Sequence, residues 1–270
     1  MVSCEECEEF LDKHVDVNKF RYLGLGYINA MILIYSLLLP FVYFPTIFPN
    51  LNSGYIILHI LVFSYLWVCL VYNYFQMVFS RRDFYRPVTV DPSRTARMHY
   101  CKVCRATVLK RDHHCYFYGV CVGYYNLKHF MFVPYWGAVC CAYSLFVFSI
   151  YYPIAYNFNP DTVYKFVNHV MGNILMAGLR RKSLYLVVNI TLAILATLNT
   201  ILLPLITLMF LYLTAVNQTT HEYSKGIRKY SRSLHQNLTE ALGPKYWLLL
   251  FSPWTFQQTD YFAIPTHHVD

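Results

Sequence analysis

The chain has 270 residues, of which 57% are apolar, 19% aromatic and only 13% charged, with a mean hydropathy of +0.34. A soluble domain carries about 25% charged residues, so this composition argues against an ordinary soluble enzyme and excludes a disordered chain, leaving a polytopic membrane protein. The net charge of +8 is the mark of basic loops facing anionic lipid, and no nucleic-acid partner is expected.

Residues 1–22 are predicted to form a cytosolic segment. It holds Cys4-Glu-Glu-Cys7, a weak pair with no second pair nearby. Four long apolar runs follow, at Leu23–Phe48, Gly54–Phe79, Phe130–Tyr156 and Leu184–Val216. Each reaches the ~20 residues a helix needs to cross a bilayer, and none holds Lys, Arg, Asp or Glu. The first run is not read as a secretory signal, because it is too long and no small-residue cleavage site follows. Residues 23–79 therefore form transmembrane helices 1 and 2, and 130–216 form helices 3 and 4 around a lumenal loop at 157–183. Residues 217–270 form a cytosolic C-terminal segment. The expected fold is an all-α membrane protein of four transmembrane helices with a Cys-rich loop, 80–129, between helices 2 and 3.

Lys and Arg orient it. The N-terminal segment holds three, residues 80–129 ten and the tail after Val216 five, against four in the loop 157–183. Both termini and the Cys-rich loop are thus expected in the cytosol. The sequons at Asn189, Asn217 and Asn237 fall in a span or on that side, so no N-glycan is expected.

The chemistry-bearing residues cluster in the loop 80–129. Cys101-x2-Cys104 is a knuckle that turns two thiolates toward one point, and one His of the pair His113-His114, with Cys121, completes a Cys3His set for a tetrahedral zinc. Asp112, the other His and Cys115 are left over: an acid, a base and a nucleophile within four residues. A neighbouring imidazole lowers a thiol pKa, and an Asp orients that imidazole. Spacing alone also permits Cys115 as the fourth zinc ligand, with Cys121 spare.

Asp112-His113-His114-Cys115, with Cys121-Val122-Gly123, Asn126 and Phe130, resembles the DHHC family of protein S-acyltransferases. Asp91-Pro92 looks like the start of that family's Asp-Pro-Gly motif, with Ser93 in place of Gly. Thr219-Thr220-His221-Glu222 matches its Thr-Thr-x-Glu motif. Asn237, Leu242-Gly243, Trp247 and Pro253 resemble its C-terminal Asn-containing motif, which packs against the catalytic loop.

The resemblance implies Cys115 as nucleophile, His113 as base and Asp112 as its orienting acid. It implies a zinc on Cys101, Cys104, His114 and Cys121. The family's other zinc site has lost its ligands here. The stretch Arg81–His99 has no Cys, Tyr100 stands at the His position and Thr107 at a Cys position, so one zinc is expected. Tyr116-Phe117 replace the usual Pro-Trp, and Gly119-Val120 precede Cys121 where Asn is common.

The activity implied is transfer of a palmitoyl or similar long-chain acyl group from acyl-CoA to juxtamembrane cysteines of membrane-associated proteins. Lys110, Arg111 and Lys128 are candidates for the CoA phosphates. Endoplasmic reticulum or Golgi membranes are the implied location. The competing class is a catalytically weak or silent membrane scaffold of the same build. A transporter fits poorly, because ion pathways carry intramembrane ionisable residues.

Overall fold

The computed structural model describes residue 32 and residues 51–79, 97–155 and 181–254. The predicted first span Leu23–Phe48, the segment containing Asp91, Pro92 and Ser93, the pair Cys4 and Cys7, and most of the loop 157–183 lie outside the described residues. In chain order the elements are helix α1 (Ser53–Phe79), strands β1 (Met98–Cys101), β2 (Ala106–Leu109), β3 (His113–Cys115) and β4 (Val120–Val122), then helices α2 (Leu127–Ala155), α3 (Arg181–Ala215), α4 (Thr220–Ser224) and α5 (Leu234–Leu242). A short 3-10 helix, Tyr246–Leu250, follows. Among the described residues three helices are long and apolar enough to cross a membrane: Ser53–Phe79, Leu127–Ile150 and Thr191–Ala215.

Two boundaries differ from the sequence expectation. Helix α2 starts at Leu127, so Lys128 and His129 sit in its first turn rather than in the loop. Its start is fixed by the turn before it, where Leu127 N donates to Gly123 O (2.9 Å) and Phe130 N to Asn126 O (2.9 Å). His129 is buried there because its Nδ1 meets Asn73 Oδ1 at 2.9 Å. Helix α3 starts at Arg181, which takes Arg181 and Lys182 out of the predicted loop 157–183. Nothing between them and Leu184 breaks a helix.

The chain divides into two compact units. The described residues of the first lie within Val71–Val133 and Ile206–Asp270 and include both strand pairs. In this unit Thr214 Oγ1 meets Met131 Sδ at 3.4 Å and Phe210 packs edge-on against Phe130 at 4.7 Å, joining α3 to α2. Helices α4 and α5 begin with capping boxes, Thr219 with Glu222 and Ser233 with Gln236, which satisfy amide donors a helix start leaves unpaired. The second unit, Asn29–Leu70 with Pro134–Leu205, is in its described part almost wholly helical. There His59 Nδ1 and Tyr143 OH lie 2.6 Å apart, and Tyr65 meets Trp136 edge-on at 6.3 Å.

Candidate active site and metal centre

Both strand pairs are antiparallel hairpins. In the first, Cys101 pairs with Ala106 across a turn that carries Cys104. The Cys104 amide donates to Cys101 Sγ (3.4 Å), which folds the two sulfurs together as the C-x2-C spacing predicts. In the second, His113 faces Val122, His114 faces Cys121 and Cys115 faces Val120. Successive side chains of a strand point to opposite sides. His114 and Cys121 therefore share one face, while His113 and Cys115 share the other.

On the first face the ligand atoms of Cys101, Cys104, His114 and Cys121 all lie within 4.8 Å of one another, and all four residues are buried. His114 Nδ1 is 3.7 Å from Cys101 Sγ, 3.3 Å from Cys104 Sγ and 3.7 Å from Cys121 Sγ, and the Cys104 and Cys121 sulfurs are 3.6 Å apart. Zn–S bonds of ~2.3 Å and Zn–N bonds of ~2.05 Å in a tetrahedron would set these separations at about 3.6 Å for S···N and about 3.8 Å for S···S. The donor set fits a four-coordinate ion. Electrostatics agree. Hydrogen bonds with Cys101 and Cys104, with burial, push the Cys121 thiol up, so the crowded sulfurs cannot all ionise without a cation among them.

On the other face, His113 Nδ1 is 2.7 Å from Asp112 Oδ2. Burial drives the His113 pKa down, but hydrogen bonds to Asp112 and Cys115, and the charges behind them, outweigh it and hold the imidazole up at about 10. The ring is edge-on to Phe130 at 5.4 Å and 6.0 Å from Phe210. An acid, an imidazole and a buried thiol are thus brought together beside two aromatic rings.

Asp112 is itself held from afar. Thr220 N donates to Asp112 Oδ1 (2.6 Å) and Thr220 Oγ1 to Oδ2 (3.0 Å). Thr219 caps α4, and its amide donates to Glu222 Oε2 at 2.8 Å. Glu222 in turn accepts from Arg97 through Nε (2.8 Å) and Nη2 (2.5 Å), a buried two-pronged ion pair. Arg97 Nη1 and Lys110 Nζ both donate to Asn217 Oδ1, at 3.1 and 2.5 Å. Lys110 also lies 3.7 Å from Glu240 Oε1. Burial pulls the Lys110 pKa down to about 8, aided by Arg97 and opposed by the two glutamates.

Three further residues shape the loop. Fully buried Asn126 donates through Nδ2 to Cys121 O (2.8 Å) and accepts from Gly123 N (2.9 Å), clamping the exit of β4. At Gly123 a Cβ would come 2.6 Å from Val108 Cγ1 and 3.0 Å from Leu109 O, so only hydrogen fits between the hairpins. Gly119 has a φ of 64°, in the left-handed region that Gly and Asn both tolerate, and this explains how it stands in for the family's Asn.

The sequence-predicted residues Asp112, His113, Cys115, Thr219, Thr220 and Glu222 thus come together, as do the four metal-type ligands. Two expectations need correction. Lys110 is buried and points its ammonium at Asn217 and Glu240, so it is not turned toward a solvent phosphate; Arg111 and Lys128 are half-buried. The other concerns Asn237, which among the described residues holds its own helix while Glu240 of that helix reaches Lys110 of the loop. Asn237 Nδ2 donates to Ala215 O (2.8 Å) and Arg232 O (3.1 Å), fastening α5 to the end of α3. Sequence reasoning missed Arg97, Asn217 and Glu240. A non-glycine φ of 52° at Asn217 and 48° at Lys110 marks both as special backbone positions, but that signal is conformational and absent from the letters.

The DHHC palmitoyltransferase family model matches residues 87–227. The chain is 31% identical over 163 residues to the zebrafish (Danio rerio) protein named palmitoyltransferase ZDHHC22, covering 57% of this chain and 56% of that one. Against the human (Homo sapiens) protein of the same name it is 29% identical over 170 residues, covering 58% and 60%. A short stretch of 48 residues is 48% identical to the Arabidopsis thaliana "probable protein S-acyltransferase 15", covering 18% of this chain and 19% of that one. The matched stretch is thus less than two thirds of the length of the zebrafish and human relatives. With more than half of its length inside the family model, the chain belongs to the DHHC palmitoyltransferase family.

Proposed function

We propose that the protein is a protein S-acyltransferase that moves a long-chain acyl group, such as palmitoyl, from acyl-CoA to cysteines of membrane-associated proteins. The single observation that supports this best is that His113, bonded to Asp112, shares with Cys115 the face of the β3–β4 hairpin opposite the metal-type ligands.

His113, held by Asp112, takes the Cys115 proton and stabilises the thiolate. The thiolate attacks the thioester carbonyl of acyl-CoA; the new C–S bond forms as the bond to CoA sulfur breaks, and the leaving CoA thiolate is protonated from His113. A substrate-protein thiolate, its proton passed to His113, then attacks the acyl-Cys115 carbonyl and Cys115 leaves. One thioester replaces another, so no energy source beyond the donor is needed. Cys101, Cys104, His114 and Cys121 would hold one zinc, which when bound supplies rigidity to the two hairpins. Arg111 and Lys128 are the remaining cations for the CoA phosphates. Asp91 and Pro92 are read with the Thr219–Glu222 motif, Asn126 and Asn237 as structural residues.

The reading places this loop, residues 80–129, and both termini in the cytosol of a four-span protein, with 1–22 and 217–270 as cytosolic segments and 157–183 lumenal. The membrane is that of the endoplasmic reticulum or Golgi. Four uncharged runs and the Lys/Arg distribution support that topology.

The test is covalent labelling. Purified wild-type chain incubated with a clickable palmitoyl-CoA analogue should carry a hydroxylamine-sensitive label that Cys115→Ala lacks. Equal labelling of the two overturns the reading.

A further inference from the structure

The two hydrogen bonds between Thr220 and Asp112 join segments 108 residues apart, and one residue pair on its own fixes two distant segments poorly. Two residues before Asp112 stands Lys110; three before Thr220 stands Asn217. Lys110 Nζ donates to Asn217 Oδ1 at 2.5 Å, deep in the protein, so the two segments are tied at a second rung. Both residues hold left-handed backbones, φ 48° and 52°, which non-glycine residues adopt at a cost only where surroundings impose it.

Asn217 is almost fully enclosed, and each of its polar groups is engaged. Its Oδ1 also accepts from Arg97 Nη1 (3.1 Å), its backbone O from Arg97 Nη2 (3.2 Å), and its Nδ2 donates to Tyr230 O (2.9 Å). Arg97 adds a third rung through Glu222, two residues beyond Thr220, and its backbone O accepts from Lys110 N at 2.7 Å. Glu240, from α5, stands 3.7 Å from the Lys110 ammonium. Two buried cations and two carboxylates therefore balance around one amide, an arrangement whose energetic return over a hydrophobic core is small. Its geometric return is large, since it fixes the register of the segment bearing Thr220 against the segment bearing Asp112.

We infer that Lys110 and Asn217 are positioning residues that act through the Thr220–Asp112 bond to aim His113 at Cys115. The inference rests on the acyltransferase reading and deepens it. It also gives Lys110 a role opposed to donor binding. A lysine that met the CoA phosphates would alter the KM for acyl-CoA. A lysine that aligns the acid would alter the limiting rate of acyl-enzyme formation.

The experiment measures that rate, the KM for palmitoyl-CoA and zinc content for wild type, Lys110→Met, Asn217→Gly, Thr220→Ala and each double variant with Thr220→Ala. Met keeps the apolar stem of Lys110, and Gly suits the φ at Asn217. Both singles should lose on the order of 10- to 100-fold in limiting rate, the scale of a misplacement near 1 Å. KM and zinc should stay at the wild-type level. Each double should be within about twofold of the slower single, because both changes break the same linkage. Additive losses, a raised KM at an unchanged rate, or zinc lost in both singles overturns the positioning role. A wild-type chain that takes no label instead overturns the acyltransferase reading, and the inference with it.

Discussion

Replacing each of two adjacent histidines by Ala should give opposite outcomes. The strand sends His114 to the sulfurs, 3.3–3.7 Å away, and His113 to Asp112, 2.7 Å away. Despite burial, its bonds to Asp112 and Cys115 hold the His113 imidazole well above its ordinary pKa, so it retains the proton taken from the thiol. Losing that base removes both proton acceptance and the cation beside the thiolate, and general-base help is worth about 10²–10⁴-fold. His113→Ala should therefore slow acyl-enzyme formation by about 10³-fold while zinc stays near one per chain. His114→Ala removes one of four ligands. Loss of an outer-shell partner already costs about 10–100-fold in metal affinity, so loss of a ligand should exceed that. Elemental analysis after dialysis and rapid-quench labelling read the two effects on the same samples. Metal lost from the His113 variant and retained in the His114 variant would refute the assignment of faces.

Three further outcomes follow from the geometry. Purified wild-type protein should hold about one zinc per chain by elemental analysis; two would mean that residues outside the Cys101–Cys121 quartet also bind. Gly123→Ala should destabilise the loop by about 1–3 kcal/mol, since its Cβ would lie 2.6 Å from Val108 Cγ1, and adding Val108→Ala should recover part of the loss in a thermal melt. Asn237→Ala should lower the melting temperature by removing the buried amide's bonds to Ala215 O and Arg232 O, a loss of about 1 kcal/mol, with labelling per folded molecule unchanged.

How much of this the sequence could reveal depends on range. That a Cys/His cluster for one metal lies between Cys101 and Cys121 was legible because ligand types at short spacing admit few arrangements, whereas the division of His113 from His114 came only from the family resemblance, and the period-two alternation of a strand that was not expected there is its physical basis. The choice of Cys121 over Cys115 as fourth ligand was not legible from spacing; the pairing of His114 with Cys121 across β3–β4 carries it. Lys110 misled because a basic letter does not say whether its ammonium faces water or a buried amide. The links from Arg97 to Glu222 and from Lys110 to Asn217 cross more than 100 residues, and no local pattern encodes such a meeting. The starts of α2 and α3 were misplaced because hydropathy marks where lipid contact ends, whereas a helix runs on through Lys128 or Arg181 as long as its hydrogen bonds continue.

The hairpin of β3 and β4 also sets what this segment can tolerate during divergence. Substitutions there change one side chain at a time, as Tyr116 and Phe117 in place of Pro-Trp illustrate. A one-residue insertion or deletion between Asp112 and His114 is a different event. It would slide one strand past the other and turn over every side chain beyond it. Cys115 would swing to the sulfur-rich side and His114 to the aromatic one, losing ion and nucleophile in one step. The spacing of this stretch is accordingly more constrained than its spelling.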